Sequence, residues 1–553
     1  MYKTLLTIAI LPWLSSGMAQ QTVGVFVHDP RAYPGYTLFA PSSSHNTYLI
    51  DNCGRLIHQW TSNFTPGQSV YLLTDGSILR TARINSTFQG GGSGGRIERI
   101  SWDDQLLWAY NYSSANYHQH HDIEPLPDGN ILILAWERKS QADAIAAGRN
   151  PATIPSQGLW PEHLVEISPL GANDAEIVWE WHVWDHLIQD YDSTKAGFGN
   201  VPEHPELIDL NFASISGAGA ISDWLHGNSI DYHPLLDQIL VSVHNFNELW
   251  VIDHSTTAAE AADHKGGNSG RGGDLLYRWG NPESYRKGAL NDKLFYGQHN
   301  ARWIEAGIPG EGQISVFNNN HGIGLGAYSS ADCFLPPLDS SGAYFRQNGE
   351  PYGPTSLSWT YHGMPDNTFH SSRLSSVQRL PNGNTLICVG HSGKFIEVTE
   401  AGEAVWEYVS PVSVNSVVAQ GDPPLINDIF HAERYPIDYE AFAERNLMPG
   451  EPLELNPLPL ICNDTLSSAL PTPAAFPLDV RPNPVVGTLY LTNPGMRSFC
   501  INIFVGGQLA NRYDDVRVQK LEVNTINWPT GLIVVVCTDT ESLNTQVMKL
   551  IKL

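Results

Sequence analysis

Short apolar strands broken by Asp-Gly and Asn-Gly turns recur along this chain, and many of the strand-rich stretches end on a tryptophan. The sharpest copies are Glu-Ile-Val-Trp-Glu-Trp (176–181) and Glu-Ala-Val-Trp-Glu-Tyr (403–408), and Trp60, Trp108, Trp279 and Trp359 close similar stretches. Most are preceded by a turn and an apolar strand, as in Leu-Pro-Asp-Gly-Asn-Ile-Leu-Ile-Leu (126–134) and Leu-Pro-Asn-Gly-Asn-Thr-Leu-Ile-Cys (380–388). One four-stranded sheet cannot bury both its faces alone, whereas sheets stacked around an axis can. The expected fold class is therefore all-β, a six-bladed β-propeller over 20–448, with blades near 36–60, 66–112, 119–184, 224–284, 298–362 and 372–410. Insertions at 139–160, 185–222, 256–273 and 319–355 break the rhythm and read as loops on one rim. A short helix is expected at 437–448, then a Pro-rich linker at 449–475 and a small C-terminal β-sandwich at 476–553.

Composition narrows the setting. The 553 residues include 49 Gly and 37 Pro and carry a formal charge of −26. So acidic a chain is a poor partner for nucleic acid, whose phosphates need a basic surface. No later apolar run approaches the length of a membrane-spanning helix, so no transmembrane segment is expected. Residues 1–19 read as a signal peptide: Lys3 supplies the positive start, Leu5 to Leu14 the apolar stretch and Gly17-Met18-Ala19 the cleavage site. The mature protein would begin at Gln20 and be exported, either secreted or attached to the cell surface. Six scattered cysteines allow one or two disulfides, whose pairing spacing does not reveal.

The candidate chemistry lies in the 21 histidines. Several stand just before an inner strand, where a side chain would face the axis: His118, His120 and His121, then His226, His299, His370 and His431. Any one of these would ordinarily be structural, bonding the backbone of a neighbouring blade. Recurrence at equivalent positions points instead to nucleophilic or acid–base work, or to metal binding. His233, His254 and His391 fall off that pattern and read as surface or structural residues. Gly90-Gly-Gly-Ser-Gly-Gly lacks the Lys-Ser/Thr of a phosphate loop and reads as a flexible connection.

In these motifs the chain resembles the bacterial arylsulfate sulfotransferases that need no nucleotide sulfate donor. The carrying residues are His-His-Asp-Ile (120–123), Asp-Trp-Leu-His-Gly-Asn-Ser (223–229) and Gly-Gln-His-Asn-Ala-Arg (297–302), with the two turn-strands and the Trp-Glu-Tyr strand. The resemblance spans roughly 36–440. It implies a six-bladed propeller that moves a sulfo group from a phenolic sulfate ester to a phenol through a sulfohistidine. On that basis His299 takes the place of the nucleophile, His226 that of the acid–base partner and His121 that of a further channel histidine, with His120 beside it. His244 falls where the family carries an arginine. Arg302, Arg373 and Arg434, with His244, His370 and His431, are the expected substrate-binding groups, and neither cofactor nor metal is implied. The C-terminal stretch is similar to the sorting domain of type IX secretion cargo of Bacteroidetes, which implies the type IX machinery as a partner. A homodimer is compatible with the sequence.

The chemistry asks for such groups independently. Sulfuryl transfer, like phosphoryl transfer, relies on positioning and on charge stabilisation. A neutral imidazole is a competent nucleophile, and a departing phenolate, with a pKa near ~10, benefits from a protonated partner. Two other readings stay open: a non-catalytic ligand-binding propeller, and a metal-dependent hydrolase using the converging histidines.

Overall fold

The computed structural model describes residues 21–212, 221–321, 327–339, 342–365, 367–414, 416–459, 462, 479–481, 488–492, 498–505, 508–517, 520–529, 531–539 and 545–552. The expected signal peptide lies outside them, as do the Pro-Asn-Pro opening of the C-terminal stretch and most of 460–478.

The fold is all-β and propeller-like, and it is built from antiparallel meanders. Pro66–Leu72, Ile78–Arg83, Gly95–Ile100 and Leu106–Asn111 form one, and Tyr117–Pro125, Ile131–Glu137, Glu162–Leu170 and Asp174–His182 the next. A single parallel bridge from Gln68 to His121 joins these two edge to edge. Separate sheets follow, begun by Gly227–His233, His299–Trp303 and Ser376–Arg379. The expected stretch 36–60 supplies only three strands. The fourth, Ile429–Pro436, comes from the other end of the propeller sequence and pairs with Gly35–Pro41. Gly24–His28 in turn adds a fifth strand beside Ala404–Val409.

The turns explain the repeated Pro-Asp-Gly and Pro-Asn-Gly signals. The amide of Leu126 donates to Asn130 O and that of Leu380 to Asn384 O, with Gly129 at φ +94° and Gly383 at φ +87°. Only glycine adopts such a backbone without strain. The repeated tryptophans sit in outer strands, and Trp60, Trp181 and Trp406 are fully buried.

The first strands of successive sheets contact one another in a closed cycle. They are mostly not ladder-paired to each other, so their facing amides need other acceptors. Side chains supply them in turn. Asp122 accepts from Ile230 N, Ser229 from Ala301 N, Asn300 from Val377 N, and Ser376 from Ala432 N. His431 Nε2 then lies 3.1 Å from Val70 N and 2.8 Å from Val70 O, closing the ring. Much of the Asn-Ser and Gln-His-Asn motif is thus a set of pins between sheets. Asn228 Nδ2 donates to Gln298 O, and Gln298 Nε2 donates to Glu248 O.

Beyond the last meander the expected helix at 437–448 is reduced to a single 3-10 turn, Glu440–Phe442. Glu444 at φ +59° stops it, and Ala441 and Phe442 are buried. Residues 449–459, read from composition as the start of a linker, are docked: Gly450 N donates to Leu56 O, Leu453 N to Gly54 O and Leu455 N to Val418 O. Cys462 extends this attachment through a disulfide to Cys53, 409 residues away in sequence. Reduction of that bond is expected to lower stability by about 2–4 kcal/mol, read as a lower midpoint in urea with and without reductant. In the C-terminal stretch a three-stranded and a four-stranded sheet share one core, with Leu489, Leu491, Phe499, Ile501, Ile533 and Val535 buried in it.

Candidate active site

The inner strands carry irregularities where the candidate histidines sit. Register shifts fall in the strands that hold His121, Gly227, His299 and Phe430. His121, His226 and Asn300 adopt the left-handed backbone at φ +51°, +53° and +51°. Histidine and asparagine tolerate that region better than most residues, and bulges re-aim side chains beside functional sites.

The result is a chain of imidazoles. Ring centroids step 5.1 Å from His120 to His121, 4.7 Å to His226, 5.1 Å to His244 and 5.4 Å to His299, and the rings are steeply inclined to one another. A cavity of about 600 Å³ opens beside them, with Gly90, Gly91, Trp160, Asp223, His226 and His244 in its wall.

Each ring has an assigned orientation. Asn319 donates through Nδ2 to Ser371 O and Leu374 O, so its Oδ1 must be the atom 2.8 Å from His299 Nδ1. Gly297 O, 3.1 Å away, is a second acceptor for the same nitrogen. His299 Nδ1 therefore carries the proton, and Nε2 carries the lone pair. The same logic holds for His244. Asn245 Nδ2 donates to Asp223 O, so Asn245 Oδ1 accepts from His244 Nδ1 at 2.8 Å. His226 Nδ1 meets Asp223 Oδ2 at 2.5 Å, while Asp223 Oδ1 accepts from Trp136 Nε1. His120 stacks on Trp136 at 3.9 Å and bridges Glu162 and His121 through its two nitrogens.

The shift toward charge in this cluster is confined to one ring. Burial, aided by neighbouring imidazoles, holds His299 near pKa 3 and His244 near 4, and pushes His120 and His121 well below the ordinary histidine value. Burial opposes protonation of His226 too, but the Asp223 carboxylate and its hydrogen bond outweigh it and raise His226 above 6.5. Of these rings His226 alone is shifted toward its protonated form, among imidazoles that burial shifts toward the neutral form.

The other expected binding groups are used elsewhere. His244 is neutral, so it does not replace an arginine's charge. Arg302 donates to the Tyr71 hydroxyl and faces Glu433, Glu124 and Asp231. His431 bonds the backbone of the adjacent inner strand at Val70. Arg434 is buried between Thr37, Tyr33 O and Glu397, over the Trp406 ring. Arg373 lies half exposed in an ion pair with Asp428, and His370 is exposed beside Asn320. These last three belong to sheet packing and surface, because position before an inner strand does not set the direction of a long side chain.

The glycine run, read above as a flexible connection, is packed over the cluster. His121 N donates to Gly92 O, and a Cβ on Gly92, at φ +72°, would lie 2.1 Å from the His121 ring. Gly92→Ala is expected to cost about 2–4 kcal/mol in chemical denaturation, from the left-handed backbone and from overpacking together. Asn319, Asn245, Glu162 and Trp136 carried no sequence signal. Asp223 did, three residues before His226 within one motif.

The family model of the arylsulfotransferases (ASST) matches residues 31–419. This chain belongs to the arylsulfotransferase family. Membership supports sulfuryl transfer from aryl sulfates as its general chemistry. No curated protein matches the chain. Solved structures resemble it more loosely. A Bacteroides caccae protein of unknown function is 12% identical, with a TM-score of 0.39, covering 72% of this chain and 98% of its own. A streptogramin B lyase is 9% identical, with a TM-score of 0.31, covering 71% and 88%. Apo AztD from Citrobacter koseri is 10% identical, with a TM-score of 0.29, covering 89% and 98%.

Proposed function

We propose that this arylsulfotransferase is a six-bladed propeller that transfers a sulfo group between phenols in two displacements, with His299 as nucleophile. The observation that carries this reading is the orientation of His299. Its Nδ1–H is committed to Asn319, and burial leaves the ring neutral with its lone pair on Nε2. In the first step that lone pair attacks sulfur and the S–O bond to the donor breaks. The phenolate leaves with the proton of His226, and a sulfohistidine remains whose Nδ1–H still faces Asn319. In the second step the acceptor phenol returns a proton to His226, its oxygen bonds to sulfur, and the N–S bond breaks. A single imidazolium suits a donor with a single negative charge. His121 and His244 line the path as neutral hydrogen-bonding groups.

The test is intact mass of the purified mature protein after incubation with a chromogenic aryl sulfate, with and without a phenol. One sulfo group mapping to His299, and lost when phenol is added, supports the two-step path. The rival reading, a non-catalytic ligand-binding propeller, draws on the absence of an arginine from the hydrogen bonds of the cluster among the described residues. No adduct and no phenol release across several donors would favour it.

The proposal extends to export. The signal-like residues 1–19 would be removed, leaving Gln20 first, and the C-terminal sandwich would engage the type IX secretion machinery. Mass of the secreted N-terminus checks the first step, and retention of a chain truncated after 475 checks the second.

A further inference from the structure

Two insertions that the transfer chemistry does not use meet at a second group of histidines. His186 follows the outer strand Asp174–His182, and its carbonyl accepts from Ile208 N. His264 and Asp274 bracket the end of the Gly-rich insertion, whose short helix Ala258–Ala261 presents a carbonyl to His186. His186 Nδ1 lies 2.9 Å from Asp274 Oδ1, and His264 Nδ1 lies 2.7 Å from the same oxygen. His186 is fully buried, Asp274 is 7% exposed, and the His264 side chain is 54% exposed at the outer side.

The tautomer of His186 is decided by its other nitrogen. Nε2 is 2.8 Å from Ala261 O, which can only accept, so Nε2 carries a proton. With its proton on Nε2, the ring directs Nδ1 toward Asp274 Oδ1 and His264 Nδ1, where a cation can take its lone pair. An N–H to backbone carbonyl on the far nitrogen is the usual support for a metal-bound histidine. Trp181 completes the setting: it stacks on His186 at 5.5 Å and donates to Gly273 O.

We propose that His186 Nδ1, His264 Nδ1 and Asp274 Oδ1 form a binding site for a divalent cation of the zinc class. Two imidazole nitrogens and one carboxylate oxygen, all mutually within 4.8 Å, are a zinc-type donor set. Calcium and magnesium favour sites made wholly of oxygen. Three protein ligands leave room for water on the exposed His264 side. The ion would clamp the 256–273 insertion to the segment around His186, outside the imidazole chain, as a structural clasp.

Zinc titrated calorimetrically into chelator-treated full-length protein tests this. One Zn²⁺ should bind with a dissociation constant below about 10 µM and raise the unfolding temperature. His264→Ala, a change at an exposed side chain, should weaken binding at least about 10-fold and abolish the thermal shift. His226→Ala should leave binding unchanged. Cobalt bound at the site should show a visible spectrum without thiolate charge-transfer bands. Absence of saturable zinc binding overturns the proposal. So does zinc affinity that His264→Ala leaves unchanged, or that is lost with His226→Ala.

Discussion

His299→Ala is expected to eliminate the sulfo adduct and to lower phenol release from aryl sulfates by at least about 10⁴-fold. The loss should be this large because the proposed path uses one lone pair, the one that the Asn319 amide, locked by Ser371 O and Leu374 O, leaves free on His299 Nε2. His244 is also neutral and Asn245 holds it in the same tautomer, so it is the competing nucleophile. His299→Ala leaves the two Asn319 amide bonds in place, so the unfolding midpoint should move little beside the activity. Rate and intact mass measured on the same preparation decide the matter. An adduct that persists and maps to His244 would transfer the nucleophile's role to that residue.

The second large effect concerns pH. His226 is raised above 6.5 and His299 is held near 3, so both stand in the productive state between those limits. As pH rises through the His226 value its proton is lost, and transfer should fall. On the acid side His299 stays unprotonated down to about pKa 3. Asp223→Asn removes the charge that opposes burial at His226 while keeping an acceptor for Trp136 Nε1. The alkaline limb of kcat/KM should then move below its wild-type position, and the rate at pH 7 should fall by about 10²–10⁴-fold. The loss should be smaller for a nitrophenyl sulfate than for phenyl sulfate, since the better leaving group needs less protonation. Equal losses for both donors would show that Asp223 serves only to position the ring.

The sequence made the repeating part of the molecule legible. Turn signals such as 126–130, the outer-strand tryptophans and the motifs around His121, His226 and His299 act over a few residues each, so local patterning exposes them. The same reasoning placed Asp223 beside His226 in one short motif. It failed where the outcome depends on chain distant in sequence. Ile429–Pro436 completes a sheet begun at Gly35, and nothing in either segment alone announces its partner. Arg434 stands on an inner strand as expected, but a buried Glu397 from another sheet captures it. Arg302 likewise spends its charge among Tyr71, Glu433, Glu124 and Asp231.

Protonation is the clearest division. Residue type alone makes all the clustered histidines alike, each titrating near neutrality. Burial drives His120, His121, His244 and His299 down, and one carboxylate holds His226 up, so only the packed structure separates acid from nucleophile. The sequence by itself determined an all-β repeat and marked the motifs around His121, His226 and His299, because strand periodicity and turn chemistry are local. Tertiary structure alone decided which imidazole is shifted toward its charged form and which nitrogen of His299 and of His244 is free, because desolvation and hydrogen-bond partners come from strands far apart in the chain.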